Sequence, residues 1–189
     1  MMSPTEIAGF ALGLVMVVCS IRELHWSWPL AIISSILYFF VFKSSLLYAE
    51  ACLQIVFAVV ALWGWWEWLR PGNDEAPALH IQQMSRRGWC LCALALAALW
   101  PALAWALMRY TDSDVPWWDA LPTALSLIGQ ALMGRKLIEN WLVWLVVNVI
   151  SVGLFAYKGL WLTCLLYAIF IAMSVVGWRE WRQRLAQAA

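Results

Sequence analysis

Seven side chains set in apolar surroundings could meet a solute: Trp141, Trp144, Asn148, Gln54, Tyr167, Gln130 and Tyr38. Trp141-x-x-Trp144-x-x-x-Asn148 has spacings of three and four, which place all three on one face of a helix. Two indoles on one stripe can sandwich a flat ring, and a cationic ring would add about 0.5–2 kcal/mol of cation–π attraction. The amides of Asn148, Gln54 and Gln130 offer donors and acceptors for hydroxyls or a carboxamide. This is the chemistry of recognition rather than of bond-making. The same residues have plainer readings: Trp141 as an interfacial belt residue, and Asn148 and Gln54 as hydrogen-bonding links between helices. Glu50 falls near a segment end, where a carboxylate reaches water.

An enzyme has little to work with. The two histidines are His25, at a helix end, and His80, in a polar loop. There is no nucleophile motif, metal pair or HExxH. The five cysteines (Cys19, Cys52, Cys90, Cys92, Cys164) lie in apolar runs without metal-ligand or CxxC spacing, so they read as packing thiols. No cofactor and no metal are expected. A retinal-type pigment needs a lysine in mid-membrane, whereas Lys43 and Lys158 fall at segment ends.

The elements that must position these residues follow from composition. Of 189 residues 65% are hydrophobic and 12% charged. That is about half the charge of a soluble domain, too little to cover a water-facing surface, so lipid must be the solvent. Sixteen tryptophans agree, since indoles favour the membrane–water interface. A net charge of +1 gives no basic field for nucleic acid. Seven segments approach the roughly 20 apolar residues that a spanning helix needs: Ile7–Ile21, Trp28–Phe42, Leu46–Leu69, Trp89–Met108, Trp118–Met133, Asn140–Tyr157 and Leu160–Trp178. The start, MMSPTEIAGF, lacks the basic region of a secretory signal, so the first segment is expected to stay. Nine Lys and Arg (Arg22, Arg70, Arg86, Arg87, Arg135, Lys136, Arg179, Arg182, Arg184) fall on one side, and Lys43, Arg109 and Lys158 on the other. The positive-inside rule then puts the N-terminus outside and the C-terminus in the cytoplasm.

Laid on itself with a shift of 113 residues, the chain pairs Leu12 with Leu125, Arg22 with Arg135, Trp28 with Trp141 and Phe57 with Phe170. The match closes with Gly64-Trp65-Trp66-Glu67-Trp68 over Gly177-Trp178-Arg179-Glu180-Trp181. Arg, Trp, Gly and Glu in register are harder to ascribe to chance than Leu and Phe. The expected fold is therefore all-α, an integral membrane protein of seven transmembrane helices in a 3+1+3 parallel repeat, as in SWEET-type transporters. The first bundle is residues 1–70, a loop and linker helix occupy 71–116, and the second bundle is 117–189. Gln54 falls on Tyr167 and Asn148 on Ser35, so the polar positions of the copies are expected at mid-depth. Trp144 falls on Ala31 and Gln130 on Val17, an asymmetry that an asymmetric solute would need. No basic cluster lies on this path, which disfavours phosphorylated solutes, and no relay of titratable residues is evident, which favours a passive facilitator.

Gly129-Gln130-Ala131-Leu132-Met133-Gly134-Arg135-Lys136 and Glu139-Asn140-Trp141-Leu142-Val143-Trp144 through Asn148 resemble the bacterial nicotinamide riboside transporter (PnuC) family. So do Tyr157-Lys158-Gly159-Leu160, Leu166-Tyr167 and Gly177 to Trp181. The resemblance covers nearly the whole chain. It implies a homotrimer and facilitated diffusion of an unphosphorylated vitamin precursor, trapped inside by a separate cytoplasmic kinase. Its WxxW pair would be Trp141 and Trp144, lining the substrate site. Relatives of this fold also carry thiamine or riboflavin, and thiamine, like nicotinamide riboside, presents a flat cationic ring. Outside the transporter class, a membrane receptor or a substrate-binding subunit that binds without transporting alone is the remaining alternative.

Overall fold

In the computed structural model the described residues are 4–44, 48–71, 79–157, 159 and 161–188, with side chains described for 10–40, 52–71, 79–157, 159, 161 and 163–187. The side chains of Glu50, Lys43 and Lys158 lie outside these. The described chain is helical: α1 (Pro4–Ile21), α2 (Ser27–Ser44), α3 (Tyr48–Leu69), α4 (Arg86–Tyr110), α5 (Pro116–Gly134), α6 (Asn140–Tyr157) and α7 (Trp161–Ala188). Four of these contain stretches long and apolar enough to cross a bilayer: Cys52–Leu69, Arg86–Tyr110, Asn140–Tyr157 and Thr163–Gln187, with shorter apolar helices over Phe10–Ile21 and Ser27–Phe40. Large apolar side chains stand outward, Trp89, Leu91, Leu94, Trp105 and Met108 on α4 alone. Water does not tolerate such a surface, and lipid does. The chain is a multi-pass membrane protein.

Two compact units form, Met1–Leu79 and His80–Ala189. In the first, α2 packs on α1 and α3. In the second, α4 packs on α5, α5 on α6 and α6 on α7.

The bounds of the helices repeat with the same shift as the sequence. Moved by 113 residues, Ser27–Ser44 becomes Asn140–Tyr157, the start of α3 becomes the start of α7, and the end of α1 the end of α5. The turns repeat as well. Glu23 (φ 57°) and Lys136 (φ 51°), which are paired by that shift, are the described non-glycine residues with positive φ. In each turn the peptide N–H one residue later reaches back five residues, Leu24 to Cys19 O (2.8 Å) and Leu137 to Leu132 O (3.0 Å). The residue before it reaches back three, Glu23 to Ser20 O (3.2 Å) and Lys136 to Met133 O (3.0 Å). Both are Schellman stops, which return two orphan carbonyls of the helix end to hydrogen bonds.

Packing inside the units repeats in turn. Trp28 is 1% exposed and Trp141 2%. Each ring lies over a glycine of the neighbouring helix, so close that a Cβ on Gly64 would stand 2.3 Å from the Trp28 ring and one on Gly177 2.6 Å from the Trp141 ring. Each meets a second indole edge-on four residues beyond that glycine, Trp28 with Trp68 at 5.5 Å and Trp141 with Trp181 at 5.6 Å. Such T-shaped pairs place a positive ring edge on a negative ring face.

One feature of the second unit has no periodicity to announce it. The segment before α4 runs beside the α5–α6 turn: Gln82 N donates to Lys136 O (3.1 Å) and Ile138 N to Gln82 O (3.0 Å). Met84 N donates to the Glu139 carboxylate at 3.0 Å, with Ile81 and Ile138 buried beneath. Ser85 then caps α4 by accepting from Gly88 N, the helix-start role for which serine is favoured.

Candidate functional site

The second unit holds five of the seven candidate residues. On α6, Trp141 and Asn148 are two turns apart and both turn toward α7. The Trp141 ring is covered by Gly177 and Trp181, so a solute would reach it only after α6 and α7 part. Its indole N–H is buried without a hydrogen-bond partner. Sequence spacing alone places Trp141 and Trp144 on one face; the structure divides them. Trp144 is half-buried and leans toward α5, where a Cβ on Gly129 would stand 3.2 Å from its Cε2 and 3.4 Å from its Nε1. The absence of a side chain at Gly129 lets the indole lie close to α5.

Asn148 is 5% exposed, and its Nδ2 donates to Ser174 Oγ on α7 at 3.2 Å. Ser174, 3% exposed, donates in turn to Phe170 O at 2.8 Å. Ser151, three residues past Asn148, is buried as well. The stripe Trp144, Asn148, Ser151 therefore carries one aromatic ring and two polar groups along α6. Tyr167 lies on α7 between Phe155 (5.1 Å between ring centres) and Phe170 (5.7 Å). Gln130, next to Gly129 on α5, is half-buried. Tyr38 on α2, 45% exposed, and half-buried Gln54 on α3 belong to the first unit.

The sequence reading misses two buried polar residues, Ser151 on α6 and, across from Asn148, Ser174. The shift by 113 sets it against Ala61, itself 1% exposed. That replacement of a buried alanine by a hydroxyl was the available signal. The second unit also has a cavity of about 460 Å³ lined by Trp118, Val149, Gly153, Tyr157 and other apolar residues; none of the seven candidates lines it. Among the described residues no three His, Cys, Asp or Glu side chains gather as metal ligands would.

The model of the family described as nicotinamide mononucleotide transporter matches residues 3–183. The chain is similar to the nicotinamide riboside transporter PnuC of Escherichia coli (strain K12), at 28% identity over 93% of this chain and 84% of that one. It is equally similar to the riboflavin/roseoflavin transporter RibM of Streptomyces davaonensis, at 28% identity over 94% of this chain and 84% of the other. A crystal structure of the vitamin B3 transporter PnuC superposes with a TM-score of 0.73 at 23% identity, covering 95% of this chain and 81% of that one. That likeness is one of fold.

Proposed function

The chain belongs to the nicotinamide mononucleotide transporter family, and from that membership we propose that it carries nicotinamide riboside across the bacterial inner membrane by facilitated diffusion. It is a membrane transporter and not an enzyme, as its relatives are. The observation that carries the choice of solute is the match of residues 3–183 to a family described by a nicotinamide nucleotide, with which the similarity to the E. coli riboside transporter along 93% of the chain agrees. The proposed site agrees with it in chemistry. Trp144 offers a partly buried indole to a pyridinium ring, for which cation–π attraction is favourable. Within the second unit Asn148, Ser151, Gln130 and Tyr167 supply neutral hydrogen-bonding groups for a carboxamide and ribose hydroxyls. Trp141 serves as the packed support of the α6 stripe.

The family's description names the phosphorylated nucleotide, yet none of these side chains is cationic. A phosphate dianion entering there would lose its hydration without a partner. The riboside therefore fits better than the mononucleotide. The described Asp, Glu, Lys and Arg residues lie in turns, in terminal turns of helices or in the C-terminal extension of α7, which supports passage without a proton relay. Metabolic trapping by a cytoplasmic kinase then gives direction.

The repeated helix bounds, Schellman turns and Trp-on-Gly contacts support two copies of one three-helix motif, with α4 as the linking span of a 3+1+3, SWEET-like chain. One linking span gives both copies the same sense across the bilayer. Nine Lys and Arg against three support an outside N-terminus and cytoplasmic C-terminus. The outward apolar surface is consistent with assembly as a homotrimer in lipid.

Purified protein in liposomes that enclose a riboside kinase and ATP is expected to accumulate labelled nicotinamide riboside. An uncoupler added at the start should leave the initial rate unchanged. A rate that collapses with the proton gradient would replace the passive mechanism by a coupled one. A second reading, riboflavin, is favoured by the similarity to RibM, although its neutral three-ring system gains less from an indole face than a cation does. Thiamine, also a flat cation, is the alternative that cation–π attraction does not separate.

A further inference from the structure

Ser174 has one hydroxyl hydrogen, and it is used on the Phe170 carbonyl four residues back at 2.8 Å. A carbonyl oxygen can only accept, so the hydrogen must lie on that side. The serine oxygen then has only lone pairs to offer to Asn148, 3.2 Å away. An amide oxygen facing it would set two acceptors against each other in a buried place. The Asn148 amide must therefore turn its NH₂ to Ser174 and its Oδ1 away from it. The orientation of an amide is commonly ambiguous from heavy atoms alone; here the backbone carbonyl resolves it.

We propose that Ser174 is a positioning residue that fixes Asn148 with its carbonyl oxygen presented to the solute. The site thereby selects a hydrogen-bond donor on the solute, a carboxamide N–H or a ribose hydroxyl, over groups that only accept. The inference rests on the reading of Asn148 as a residue of the substrate path. Register with the first unit supports a role beyond packing. There the corresponding positions are Ser35 and Ala61, both buried, without amide or hydroxyl partner pairs of this kind. The frame of α2 on α3 packs without the pair that α6 and α7 carry.

The test is calorimetric titration of detergent-purified protein with nicotinamide riboside and four analogues that each lack one donor group: the methyl ester in place of the carboxamide, and the 2′-, 3′- and 5′-deoxyribosides. Ser174→Ala is expected to weaken riboside binding by roughly three- to tenfold, the range of one neutral hydrogen bond. Ser174→Thr, which keeps the hydroxyl and its bond to Phe170 O, should restore it. Against one analogue, the one lacking the donor that Asn148 reads, Ser174→Ala should make no further difference; against the other three it should weaken binding as it does for the parent. Equal weakening of all five compounds, or none, overturns the positioning role. Asn148→Ala separates this from the underlying site. If it weakens binding while Ser174→Ala does not, only the positioning fails; if it leaves affinity unchanged, the site reading fails and the inference with it.

Discussion

Gly177→Ala is expected to lower the melting temperature of the protein sharply, although it adds a single methyl group to a helix. Alanine is the better helix former by about 1 kcal/mol, so on local grounds the change should stabilise. The new Cβ would, however, stand 2.6 Å from three carbons of the Trp141 ring. That ring cannot slide away, because Trp181 meets it edge-on at 5.6 Å and it is 2% exposed. Overpacking of this kind costs about 1–3 kcal/mol, more where a rigid ring is hemmed in. Gly64→Ala should behave alike, since Trp28 occupies the same place at 2.3 Å. Gly153→Ala is the internal control: nothing lies within 4 Å of its Cβ position, and the helix preference alone should act. Fluorescence-monitored melting in detergent checks all three. Similar melting of all three variants would mean that the Trp-on-Gly contacts do not hold the helices together.

Trp144→Ala is expected to weaken nicotinamide riboside binding at least about tenfold, or roughly 1.4 kcal/mol, with little change in melting. Trp141→Ala should do the reverse in kind, since truncating a buried tryptophan costs about 3–5 kcal/mol of stability. The two residues are three apart on α6, yet their surroundings differ. One ring is enclosed by Gly177 and Trp181, while the other lies against α5 at Gly129 and is only partly buried. Calorimetry of Trp144→Ala with unchanged affinity would remove that residue from the path. Trp144→Phe, which keeps an aromatic face, should fall between wild type and alanine.

Much of this arrangement was legible in the chain because membrane helices must be apolar over a set length and must place charge at their ends. The seven segments expected from sequence match the seven helices to within a few residues at most ends. The exception is α7, which runs ten residues past Trp178 to Ala188. Its extension, Arg179-Glu180-Trp181-Arg182-Gln183-Arg184-Leu185, is rich in good helix formers that an apolar criterion ignores. The register of 113 was visible for a related reason. Trp28 over Gly64 and Trp141 over Gly177 are contacts that only a glycine permits at that closeness, so the same residue types stand at both places.

What stayed hidden depends on contacts that spacing does not encode. The isolated bridge between Gln82 and Leu137 and the Met84–Glu139 hydrogen bond join residues far apart in the chain, through a segment with no period of two. Helical spacing set Trp141 beside Trp144 but could not say which ring a neighbouring helix would cover. Ser174 escaped notice because one hydroxyl in an apolar helix is usual; its meaning came from Asn148 lying across from it.

Counterflow addresses transport and solute choice together, without kinase, ATP or ion gradient. Liposomes holding the purified protein are loaded with unlabelled nicotinamide riboside and diluted into a trace of the labelled compound. Labelled riboside should rise transiently above equilibrium inside, and loading with riboflavin or thiamine instead should give little overshoot. No overshoot with riboside, despite measurable binding, would make the protein a receptor or a subunit of a larger pump. A stronger overshoot with riboflavin or thiamine would assign the path to that vitamin.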